Sequence, residues 1–187
     1  GSVPIAGAAI QGLRDNLNVI DKSDDIESLA MLEKDNGDVY FVPAFSGLFS
    51  PHWDETARGS MLGLTRFSNK SHIARAVLES VAFQSYELLE CMEKDLDTEF
   101  DNLKVDGGMV ANNLLMQFQS DLLGKSIHSQ DINEITALGV GVAGYLFVMD
   151  LPLSNMGNYI TLSKTWNPNM SNEKRINSLE SWYKAIE

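Results

Sequence analysis

Along most of the chain, short apolar runs of strand length alternate with helical periodicities, and glycine makes two of the strand-to-helix junctions. The sharper junction is VDGGMVANN, residues 105–113. Leu103-Lys104-Val105 leads through Asp106 into Gly107-Gly108, and a helical pattern follows at Leu114-Leu115-Met116-Gln117-Phe118. The other lies near the start. Apolar residues 3–6 read as the end of a strand, Gly7 follows, and Ala9, Leu13 and Leu17 recur at helical spacing. Strands alternating with helices predict an α/β layer fold with a largely buried, mixed β-sheet flanked by helices.

The remaining elements follow from the same periodicities. Ser23 to Glu33 predicts a helix with Ser23 as N-cap and Asp24, Asp25 and Glu27 at the favourable end of its dipole. Asn36-Gly37 is a turn signal, and Val39 to Val42 a strand stopped by Pro43. Residues 44–59 are aromatic and aperiodic, a loop; Phe45, Phe49 and Trp53 are either a contact surface or ordinary packing. Ser60 to Thr65 returns as a strand. Ser68 or Asn69 caps the longest helix, Lys70 to about Leu96, with a stripe of Ile73, Val77, Val81, Leu88 and Met92 widened by Leu78 and Ala82. Leu103 to Val105 is a strand, Asn112 to Leu123 a helix stopped by Gly124, and Ser126 to Ser129 a short strand. An apolar helix runs from near Thr136 to Met149. Residues 153–170 read as irregular, and Ser171 to Glu187 as a terminal, surface-docked helix. The expected organisation is one domain over 1–187, with 153–187 a looser tail and helix.

Composition narrows the partners. With 44% hydrophobic and 21% charged residues the chain buries a substantial core. The net charge is −12 and no Lys/Arg cluster stands out, which argues against nucleic acid or an anionic membrane as the main partner. Cys91 is the single cysteine, so no internal disulfide framework exists and a reducing compartment, the cytoplasm, fits. No apolar run reaches the roughly 18 residues a membrane helix needs. No signal peptide is evident, and the abrupt start suggests a piece of a longer protein.

Glycine after a strand lets a bulky group lie against the main chain, and N–H groups at the following helix end favour an anion. Asn112 and Asn113 then stand in the first helical turn, and Gln11 stands one turn after Gly7. Two readings fit these spacings: a nucleotide clamped between two glycine turns, or tight βα turns with an asparagine cap. Neither junction is a Walker loop, and neither has Gly-x-Gly-x-x-Gly spacing. His52, His72 and His128 lack zinc-site spacing, so no metal site is expected. His72 falls in the first turn of the long helix, where a structural role fits. Ser46 lacks a nucleophile elbow. Asp54 and Glu55 read as solvated loop acids. Asp106 orients either the turn or a magnesium-bound water.

VPAFSGLFSPHWDETARGSMLGLTR (42–66), HIARAVLESVAFQ (72–84), LKVDGGMVANNLLMQFQSDLLG (103–124) and EITALG (134–139) together resemble the glycerol kinases of the FGGY carbohydrate kinase family. The opening GSVPIAGAAIQGLRD carries the same resemblance, which covers about residues 1–150. The resemblance implies an actin-like, ribonuclease-H-like domain, the C-terminal half of a kinase that takes ATP/ADP with Mg²⁺ and transfers phosphate to glycerol. By matching positions it implies nucleotide contacts at Gly7, Gln11, Gly108 and Asn112. It implies that the catalytic base and most glycerol contacts lie upstream, so no catalytic residue is expected in this chain, which would be inactive alone. The full-length enzyme would be a homo-oligomer. A kinase for another polyol or sugar, or a non-catalytic actin-like interaction module, are the alternatives. Gly12, where relatives commonly carry tryptophan, Gly139-Val140-Gly141-Val142, Phe49 and His52 depart from the family pattern.

Overall fold

The computed structural model describes residues 3, 5–130, 135–159 and 162–187. Gly1-Ser2, Pro4 and Glu134, which figure in the sequence reading, lie outside the described residues. Helix α1 spans Gly7–Asp15 and buries Ala9, Ile10 and Leu13. The strand expected just before it is not formed at Ile5 and Ala6, which make a bend; a strand needs a paired neighbour, and none lies alongside among the described residues. Helix α2 is short, Asp25–Ala30. Ser23 does not cap it, because its hydroxyl accepts from the Arg14 guanidinium at 3.1 Å.

Strands β1, Tyr40–Val42, and β2, Ser60–Leu62, pair antiparallel as a separate two-stranded sheet. Helix α3, Lys70–Leu96, runs behind β1. Asn69 accepts from the N–H of Ser71 and His72, and the His72 ring accepts from the Asn69 N–H in return, a reciprocal cap. The stripe of Val77, Leu78, Val81 and Ala82 is buried, but it fades toward the C-terminus, where Met92 is exposed. Beyond Phe83 the one buried residue of the helix is a carboxylate, Glu87. Glu79, Phe83 and Glu87, four residues apart, share one face, and all three are buried.

Strand β3, Asn102–Val105, pairs parallel with β4, Ser126–Gln130, through the helix α4, Asn113–Leu123. A parallel pair requires such a crossover. Strand β5, Leu162–Trp166, adds antiparallel to β4, making a mixed three-stranded sheet in the order β3-β4-β5. The irregular reading of 153–170 misses β5. Its residues Leu162-Ser163-Lys164-Thr165-Trp166 carry little apolar alternation and are strand because β4 offers an edge.

Helix α6, Asn172–Ile186, is capped by Ser171, whose hydroxyl accepts from the Lys174 N–H. It is not merely docked on the surface. Trp182 is fully buried and stacks on Phe83, centroids 4.8 Å apart and 4° from parallel. Phe83 also meets Phe118 of α4 edge-on at 5.6 Å and Tyr40 of β1 at 6.0 Å. One aromatic thus joins four elements, a tie worth several kcal/mol through area and ring geometry. Helix α5, Ile135–Val148, is apolar almost all round, yet buries only Val142 and Leu146 and leaves Phe147 86% exposed. In the loop 44–59, Trp53 is 74% exposed, and Phe45 and Phe49 are also exposed.

Candidate functional site

Helix α1 starts without a side-chain cap; of its first-turn N–H groups, Ala9 N donates back to Ala6 O at 3.1 Å, and those of Gly7 and Ala8 have no hydrogen-bond partner among the described residues. The second junction is built differently from the plain turn the sequence suggests. Gly107 sits at φ +93° and ψ 174°, a backbone conformation that side chains reject. A single 3₁₀ turn, Gly108–Ala111, then separates the glycines from α4. Val110 N donates to Gly107 O at 3.1 Å and Asn112 N to Met109 O at 3.1 Å, closing that turn.

Asn112 is the N-cap of α4, its Oδ1 accepting from Leu115 N at 2.8 Å. Leu114 N is taken by a distant residue, Glu27 of α2, whose Oε1 accepts it at 2.9 Å. The start of α4 therefore already holds a carboxylate and an amide. It is not the open anion seat that a strand–glycine–helix junction suggests, because the 3₁₀ turn carries the glycines away from it.

Between α1, α2 and the glycine turn lies a cleft of about 450 Å³. Helix α1 contributes Gly7, Ile10 and Gln11. Ser23, Asp24, Ile26 and Glu27 come from α2 and its approach, and Gly108, Met109, Ala111 and Asn112 from the second turn. The volume falls within the 300–1,000 Å³ typical of small-molecule sites. All four residues singled out from sequence, Gly7, Gln11, Gly108 and Asn112, line this one cleft. A Cβ added at Gly7 or Gly108 would meet no atom within 4 Å, and neither has a positive φ. Neither packing nor conformation requires glycine at these two positions; a Cβ there would stand in open space at the cleft.

The cleft has polarity. Open helical N–H groups stand at the Gly7 end, and the carboxylates of Asp24 and Glu27 lie on the α2 wall. Buried Ile10 and Ile26, with Met109 beside them, supply apolar floor. Sequence reasoning missed Glu27 as a site residue, reading it only as a helix-dipole acid. Its partner is 87 residues away, and no local pattern signals that bond.

The other candidates have structural partners elsewhere. His72 completes the α3 cap, and His128 Nδ1 lies 2.9 Å from Thr165 Oγ1 across β4 and β5. His52 Nε2 lies 2.8 Å from the buried Glu87 carboxylate. Burial pushes Glu87 upward, and the His52 contact opposes that. Asp54 holds its own loop, accepting from Thr56 N at 2.8 Å and Thr56 Oγ1 at 2.7 Å, and those bonds hold its carboxyl below the usual range. Asp106 is exposed beside the glycine turn. Among the described residues no group of three or more His, Cys, Asp and Glu side chains is placed to hold a metal ion, and no helix is long and apolar enough to cross a membrane.

This arrangement defines a class. The C-terminal domain of the FGGY family of carbohydrate kinases matches residues 1–146, and the chain belongs to that family. The fold is accordingly the actin-like, ribonuclease-H-like α/β fold with a mixed sheet. Within the family, all of the chain is similar to the glycerol kinase of Azorhizobium caulinodans, 50% identical over 192 residues and covering 38% of that protein. The glycerol kinase of Brucella anthropi is likewise 50% identical over 188 residues, with 38% of it covered. Among solved structures, Plasmodium falciparum glycerol kinase with ADP superposes with a TM-score of 0.91 at 33% identity, covering all of this chain and 37% of that one. The chain thus spans well under half the length of the relatives it matches.

Proposed function

We propose that the chain, residues 1–187, is the C-terminal nucleotide-binding domain of a cytoplasmic glycerol kinase, which transfers the ATP γ-phosphate to glycerol and gives glycerol 3-phosphate. One observation carries this reading. Two glycines that neither the packing nor the backbone requires, Gly7 and Gly108, border the same cleft as Gln11 and Asn112. The similarity to glycerol kinases at 50% identity supports the choice of acceptor.

The polarity of the cleft supports one direction for the nucleotide. The phosphates lie toward Gly7, Gly108 and the uncapped first turn of α1, where N–H groups favour negative charge. The base lies toward α2 and Asn112, since carboxylates there would repel phosphate. Mg²⁺ arrives with the phosphates, as it usually does in kinases, and Asp106 is the carboxylate beside that turn. Mg²⁺ and the phosphate grip of the missing part supply charge stabilisation, while this chain's residues bind and orient the donor.

Phosphoryl transfer needs acceptor and donor aligned across a closed cleft, and this chain forms one wall of it. The acceptor wall and the base that takes the hydroxyl proton belong to the rest of the enzyme, which works as a homo-oligomer. The test has two parts. ADP–Mg²⁺ should raise the melting temperature of this chain, and the full reading frame should release ADP only when glycerol is added. Absence of any ADP-linked stabilisation, or turnover with another polyol and none with glycerol, would refute the corresponding half.

A further inference from the structure

The Glu27 carboxylate carries an inference that rests on the nucleotide reading above and deepens it. Glu27 is half-buried on α2, lines the cleft, and bonds through Oε1 to Leu114 N at the start of α4. That bond links two walls of the cleft that are 87 residues apart in sequence. Across from it, Asn112 spends its carbonyl oxygen on Leu115 N. The groups that Glu27 and Asn112 leave at this end are therefore of two kinds. A carboxylate accepts hydrogen bonds and cannot donate, while the Asn112 amide nitrogen donates and cannot accept.

We propose that Glu27 is the positioning and specificity-determining residue for the nucleotide base. Its bond to Leu114 N fixes the spacing between α2 and α4, and its second oxygen accepts from the ring edge. An acceptor beside a donor suits a 6-aminopurine, which offers an amino donor next to a ring-nitrogen acceptor. A 6-oxopurine turns a carbonyl oxygen toward the carboxylate, and two acceptors then face each other with no proton between them. A half-buried charged acceptor left without a donor is costly, so the discrimination falls on the oxopurine.

ADP and inosine diphosphate differ at the 6-substituent and in the N1 proton that accompanies the oxo form, so both groups of that edge exchange donor for acceptor, and they make a direct pair of probes. Their dissociation constants would be measured by calorimetry on the wild-type chain in its full reading frame, and on Glu27→Gln and Glu27→Asp. The wild type should bind ADP about tenfold or more tighter than inosine diphosphate. In Glu27→Gln the amide oxygen can keep the Leu114 bond while the amide nitrogen offers a donor to the oxopurine, so the ratio should fall to within about threefold. Glu27→Asp keeps the charge on a shorter arm, so both affinities should drop together. A role confined to holding α2 against α4 would lower both affinities in every variant and leave the ratio alone. An unchanged ratio in Glu27→Gln, or a wild type that binds the two equally, overturns the inference while the nucleotide site stands. A wild type that binds neither overturns the site itself.

Discussion

Replacing Gly108 by valine should leave the fold intact and remove nucleotide binding. The added Cβ meets no protein atom within 4 Å and the backbone there does not lie at positive φ, so the fold loses nothing by steric conflict. Losing a glycine even restricts the unfolded chain, which favours the native state by about 0.4–1 kcal/mol where the conformation is compatible. The branched side chain instead fills part of the 450 Å³ cleft, where the proposed nucleotide would lie against the main chain. A displacement of about an ångström at such a contact typically costs about 100-fold in function, and we expect at least that in affinity. With ADP–Mg²⁺ at about 100 times the wild-type dissociation constant, linkage stabilises the wild type by about 2.7 kcal/mol, roughly 5–10 °C for a domain of this size. At the same concentration the variant retains at most about 0.4 kcal/mol, a shift of roughly 1–2 °C. Gly107→Ala is the counterpart. At φ +93° it strains the backbone by about 1–3 kcal/mol, so its ligand-free melting temperature should drop by several degrees. Differential scanning fluorimetry with and without ADP–Mg²⁺ reads both. If Gly108→Val keeps the full ligand shift, the open space above that glycine is not where a nucleotide lies.

Asn112→Ala removes the α4 cap and should cost about 1 kcal/mol of ligand-free stability, with Asn112→Asp recovering most of it; urea denaturation measures both. Glu79 is pushed up to about 7 by burial, with the Arg75 guanidinium 2.9 Å away opposing that shift. The folded pKa lies above the unfolded one, so the contribution of this group to stability is full below about pH 4.5 and is lost as pH rises to about 7. Glu79→Gln should therefore show a flatter stability profile than the wild type between those pH values. A difference curve with no slope there, followed by denaturation across the pH range, would refute the burial argument. Trp182→Ala should cost about 3–5 kcal/mol by emptying the stack on Phe83, against under about 1.5 kcal/mol for Trp182→Phe; equal losses would show that the indole is not packed as described.

The local structure of this protein was legible in its residues wherever one element could be judged alone. The first half of the apolar stripe of α3, a cap at Ser68 or Asn69 and the short strands at Tyr40 and Leu103 all depend on neighbours within a few positions, and periodicity and turn chemistry report those neighbours directly. The four cleft residues stood out as glycines and amides at helix starts, but that spacing also fitted plain turns, and the resemblance to the FGGY kinases was what marked them as one site.

Tertiary structure decided the rest. Strand β5 forms because β4 presents an edge, and Trp182 enters the core because Phe83 faces α6. Glu27 becomes part of the cleft because folding brings it to Leu114, and the same bond closes the start of α4 to an anion. Each of these is a pairing between residues tens of positions apart. Periodicity along a chain reports which face of an element is apolar, but it carries no information on which distant partner that face, edge or unpaired N–H will meet.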